Sequence, residues 1–143
     1  MVPDGLQRFI YAQNDDGTYA RAIVELAAGR KETHWMWFVF PQIAGLGHSP
    51  TAQRYAMSSL SEARQYLLHP VLGQRLISAA ECLLSLRDTS AEQVFGTVDA
   101  QKLRSSMTLF ARADPESPVF TRVLDQYFDG VPDHATDRLI ASK

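Results

Sequence analysis

The chain has 143 residues, 45% of them hydrophobic, and a single cysteine. That length suits one compact domain over 1–143, with enough apolar residues for a core that needs neither disulfide nor metal. A net charge of −2 lacks the basic excess of a general nucleic-acid binder, and no apolar run approaches the ~20 residues that cross a bilayer.

Residues 1–5 show no basic region followed by an apolar run, so a soluble, cytoplasmic protein is expected. A lone thiol cannot close an internal bridge, which points the same way, and Cys82 among Leu83, Leu84 and Leu86 reads as a small buried hydrophobe. Leu6, Phe9 and Ile10 share a helical face, which predicts a first helix from about Asp4 to Gln13. Asn14-Asp15-Asp16-Gly17 is a turn cluster whose two acids read as solvated. Thr18 is placed to cap a second helix carrying Ala22, Ile23 and Leu26, with Gly29 at its end.

The most unusual stretch follows: His34-Trp35-Met36-Trp37-Phe38-Val39-Phe40-Pro41-Gln42. A short buried helix capped at Thr33 and stopped by Pro41 fits its helical neighbourhood. An isolated strand is the alternative, since Trp, Phe and Val also suit a pleat. Beyond the loop Ile43 to Ser49, Ser49-Pro50 signals a helix carrying Tyr55, Ala56 and Met57. Further starts fall at Ser61-Glu62 and His69-Pro70, the second opening a helix with Leu72, Leu76, Ala79, Ala80, Leu83 and Leu84 in phase. Ser90-Ala91-Glu92-Gln93 is a capping box. Asp99 is placed to cap a separate helix with Leu103, Met107 and Phe110 inside, Ser117-Pro118 opens another that ends at Gly130, and Asp133 opens the last. The expectation is an all-α domain of about eight helices in an irregular array.

The histidines His34, His48, His69 and His134 show no metal-ligand spacing, so no metal site is expected, and nothing in the sequence implies a cofactor. Ser105-Ser106 lacks the context of a nucleophile and reads as one exposed serine and one bonded to the helix backbone. Gly45-Leu46-Gly47 running into a helix N-terminus, with Arg54 and Tyr55 close behind, is a candidate anion site. Lys102 and Arg104 are two residues apart and face different sides of a helix, so either can supply a second cation. Trp35 and Trp37, bracketed by His34 and Gln42, are core or the wall of a ligand pocket.

The blocks His34 to Gln42, Gly45-Leu46-Gly47, Gln53-Arg54-Tyr55, His69-Pro70-Val71-Leu72-Gly73, and Phe95-Gly96 with Lys102 to Phe110 resemble the bacterial family known as domain of unknown function 1810. The resemblance spans nearly the whole chain and implies a multihelical irregular array. Such sequences sometimes carry the label calpastatin. Calpastatin inhibitory regions are disordered, and this composition is that of a folded domain. At the level of pattern, Lys102 to Phe110 with Phe120 to Gly130 is similar to the C-terminal half of NADAR helical proteins, which are associated with ADP-ribose and related N-glycosides.

The resulting expectation is a site for an anionic, nucleotide- or ADP-ribose-like molecule. Trp35, Trp37, Gln42, Gly45, Gly47, Arg54, Tyr55, Lys102 and Arg104 would bind it, and His34 would act as acid or base if an N-glycosidic bond is cleaved. The competing expectation is a non-catalytic interaction or structural module, with the aromatic block as solid core and an apolar patch elsewhere. A basic surface joining Arg8, Arg30, Lys31, Arg54, Lys102 and Arg104 would favour nucleic acid instead. Residue patterns leave the oligomeric state open.

Overall fold

The computed structural model describes residues 5–143. Nine α-helical segments, one 3₁₀ turn and one isolated parallel bridge, Ile43 to Met57, make up the regular structure among these residues. The chain is all-α.

Helix α1 (Gln7–Asn14) runs through a 3₁₀ turn (Asp15–Gly17) into α2 (Thr18–Ala27). The start expected at Asp4 lies outside the described residues. Thr18 does not cap α2 but begins it, its hydroxyl donating back to the Asp15 carbonyl. Gly29, at φ 74°, turns the chain away after α2. The aromatic block is helical rather than extended: α3 (Met36–Val39) is one turn that buries Met36 and Val39.

Ser49 caps the short α4 (Pro50–Arg54), accepting the Ala52 N–H at 3.1 Å. Tyr55 to Met57 fall after this helix, because Met57 instead pairs its backbone with Gln42 and Ala44. Helix α5 (Leu60–Leu68) starts before Ser61, since Ser59 is the residue that receives the Glu62 N–H. Before α6 (Leu72–Ser85), His69 Nδ1 accepts from the Val71 and Leu72 amides, which helps hold the helix entry in place of a hydroxyl.

The two helices expected on either side of Asp99 are one element, α7 (Ala91–Ala113), with its capping box at Ser90 and Gln93 and a break at Gly96. Asp99 lies inside the helix and caps nothing. Gly96 has φ 79° and ψ 168°, a region that side-chain-bearing residues rarely enter. The Val94 carbonyl, just before the break, accepts the Lys31 N–H at 2.8 Å. Helices α8 (Pro118–Phe128) and α9 (His134–Ala141) complete the array. The α8 helix ends through Asp129 and Gly130 in left-handed conformation, and Asp133 caps α9.

One buried carboxylate sets the course of 28–35. Glu25, on the buried face of α2, receives the Glu32 N–H (2.8 Å), the Thr33 N–H (3.0 Å) and the Trp35 indole N–H (2.8 Å) on one oxygen. Its other oxygen takes the Thr33 hydroxyl at 2.6 Å. Burial alone would raise its pKa, but these donors outweigh it and hold the carboxyl at about 2. Trp35 is thereby sealed in the core, edge-on to Phe95 and tilted against Phe40.

Two outcomes test this frame. Glu25→Ala strands four donors and is expected to cost about 2–4 kcal/mol in urea unfolding. Because the folded pKa lies below the ordinary value of 4.5, the carboxylate's contribution is complete above that pH and is lost as pH falls toward about 2. The variant's stability should therefore fall less over that window than the parent's. A Cβ at Gly96 meets nothing within 4 Å, so Gly96→Ala reads backbone strain alone. It should destabilise by about 1–3 kcal/mol.

Candidate functional site

A cleft of about 460 Å³ opens where three separate pieces of chain meet. The loop after the aromatic block supplies Gln42, Leu46 and Gly47. The portion of α7 after the break supplies Thr97, Val98, Gln101, Lys102 and Ser105, and the start of α9 supplies Asp133 and Ala135. The break aims this face: 98, 101, 102 and 105 follow the i, i+3, i+4, i+7 spacing of one helical stripe. Leu46, Val98 and Ala135 make much of the wall apolar.

Four polar groups of the cleft, Asp133, Gln101, Ser105 and Lys102, are held in place. Asp133 accepts the Gln101 amide (3.0 Å) on one oxygen. On the other it meets Ser105 (3.1 Å), the Thr136 N–H (3.1 Å) and the Thr136 hydroxyl. Lys102 Nζ lies 3.4 Å from Asp99 and 5.1 Å from the centre of the Trp37 ring. The other Asp99 oxygen holds Lys31 at 2.9 Å, and Lys31 sits 5.2 Å over Trp35. Asp99 is thus shared by two ammonium groups, each set against a tryptophan.

The residues singled out from the sequence separate into groups. Gln42, Gly47 and Lys102 line the cleft, and half-buried Trp37 backs Lys102. Trp35 is 1% exposed and bonded to Glu25, so it is core. Arg104 turns the other way and stacks 4.9 Å over Phe128 on α8. Tyr55 packs edge-on against Phe9 and Phe38. Arg54 borders a different, open hollow of about 490 Å³ beside Arg8, Pro50 and Gln53. His34 is exposed and does not line the cleft.

The two glycines of the loop answer to packing. A Cβ on Gly47 would stand 2.6 Å from the Ala52 Cβ, and one on Gly45 would stand 3.0 Å from Leu139. Ser105 and Ser106 are both buried, against the expectation that one is exposed. Ser105 also reaches the Gln101 carbonyl at 3.1 Å, while the Ser106 hydroxyl has no hydrogen-bond partner. Cys82 is half-buried, and burial, followed by nearby Glu81, pushes its thiol pKa up. Sequence reasoning passed over Val98, Gln101, Ser105 and Asp133 as site residues. The helical stripe through 98 to 105 was a usable signal for three of them.

Among the described residues no group of three or more His, Cys, Asp or Glu could hold a metal ion, and no helix is long and apolar enough to cross a membrane. The basic surface that would favour nucleic acid is largely committed internally. Arg8 donates to the carbonyls of Gly5, Arg54 and Ala56, and Lys31 is buried on Asp99.

The conserved hypothetical protein Rv1873 from Mycobacterium tuberculosis, solved by crystallography, is 48% identical to this chain. The match covers 95% of this chain and 96% of that one, with a TM-score of 0.92. No curated protein matches. The family described as protein of unknown function DUF1810 matches residues 3–140, and the chain belongs to that family.

Proposed function

We propose that the cleft between α7, the 42–47 loop and α9 binds a nucleotide-like small molecule through its nucleoside part. The observation that carries this reading is the pairing of apolar walls with a few polar groups that reach the same cleft. Leu46, Val98 and Ala135 suit the faces of a flat ring. The Gln42 carboxamide can both donate and accept, and Lys102 offers an ammonium at the side of Trp37. A volume of about 460 Å³ is within the range of small-molecule sites.

Cleavage of an N-glycosidic bond is a weaker part of the reading. The carboxylate in the cleft, Asp133, is already engaged by donors on both oxygens, and His34 stands elsewhere. The geometry favours binding over hydrolysis.

A second reading, a non-catalytic interaction module, draws on the turn between α5 and α6. Leu68, the last residue of α5, is 83% exposed, and Val71, three residues on, is exposed as well.

Val98 is 69% exposed, so Val98→Trp fills the cleft from its rim without disturbing the core. Apo stability should change by no more than about 0.5 kcal/mol. In thermal-shift measurements with adenosine, AMP and ADP-ribose, the parent protein should be stabilised by at least one compound, since binding to the folded state raises the melting temperature. The variant should lose that shift. An equal shift in both proteins removes the cleft as the site, and no shift with any of the three in the parent leaves the interaction module as the better reading.

A further inference from the structure

We infer that the cleft selects an uncharged nucleoside over its phosphate-bearing forms, and that Asp99 is the residue that sets this preference. The inference rests on the reading that a nucleoside-type ligand occupies the cleft, and adds the charge class of that ligand.

Two charged side chains line the cleft, Lys102 and Asp133, and they carry opposite signs. The Lys102 ammonium reaches the cleft already paired, 3.4 Å from Asp99. Asp99 also holds Lys31, at 2.9 Å. The two lysines and two carboxylates therefore sum to zero. Asp133 is met by neutral donors: the Gln101 amide, the Ser105 hydroxyl, and the N–H and hydroxyl of Thr136. None of these donors is charged, so none cancels the charge of the carboxylate. A phosphate entering the cleft would meet an ammonium whose attraction is shared and a carboxylate whose repulsion is not.

An uncharged nucleoside meets neither difficulty. Its ring lies against Leu46 and Val98, while Gln42 and the free carbonyl of the Gln101 side chain supply one mixed and one accepting partner. Selection against charge then comes from groups placed against the wrong ligand as well as contacts with the right one. Asp99 acts through Lys102: removing its charge leaves the four-group set at +1 and frees the ammonium for an anion.

Isothermal titration calorimetry of the full chain at low salt, with adenosine, AMP and ADP-ribose as probes, tests this. The parent should bind adenosine at least about tenfold more tightly than AMP or ADP-ribose. Asp99→Asn should gain about tenfold for AMP and change adenosine by less than about twofold. Because Asp99 also neutralises buried Lys31, Lys102→Gln is added to Asp99→Asn to show that the gain runs through Lys102. The double variant should lose the roughly tenfold gain for AMP. Tighter binding of AMP or ADP-ribose than adenosine by the parent overturns the inference, as does an Asp99→Asn protein that gains nothing for AMP or a double variant that keeps the gain. Those results leave the cleft as a site. Failure of all three compounds to bind the parent removes the underlying reading as well.

Discussion

An indole cannot be buried without a partner for its N–H, and the Glu25 carboxylate is that partner for Trp35. The same carboxylate gathers the amides of Glu32 and Thr33, so one side chain fixes both the ring and the chain that delivers it. Lys31 lies within this held segment. Its N–H reaches Val94 before the break in α7, and its ammonium reaches Asp99 after it. The geometry of α7 at Gly96 and the placement of the aromatic block are therefore one construction. The cleft inherits its shape from it, because the residues that line it begin immediately after the break.

The division of the aromatic block falls at the start of α3. Trp35 precedes the helix with φ −140° and ψ 5° and its ring enters the core, whereas Trp37 lies within α3 on the side away from buried Met36 and is covered by Lys102. The sequence posed core and pocket wall as alternatives for both rings. In the structure Trp35 belongs to the first and Trp37 stands at the edge of the second.

Helix starts were legible where a cap acts over three or four residues. Ser49, Ser90 and Asp133 all accept the amide hydrogen bonds that their positions implied. Asp99 was misread because its pattern is that of a cap while its charge is claimed by lysines three and 68 residues away in sequence. A glycine that ends a helix and one that bends it without ending it look alike, so the break at Gly96 read as a boundary. Gly45 and Gly47 resembled a phosphate loop, but the atoms that require them belong to Leu139 and Ala52. Of the residues picked out from the sequence, Gln42, Gly47 and Lys102 line the cleft. The α9 contribution was not legible, since Asp133 lies 28 residues beyond Ser105 and only tertiary packing joins them.

The break at Gly96 has a consequence for how this chain can vary. In an unbroken helix every side chain is locked into one rotational phase, so a face that builds core at one end dictates which residues face outward at the other. Gly96 resets that phase. The turn carrying Val94 and Phe95 can keep its fit against Trp35 and Phe40 while the stripe from Val98 to Ser105 is rotated, exchanged or repopulated as a unit. Core and cleft share one helix without sharing one constraint, so substitutions along the stripe leave the aromatic packing before the break in place.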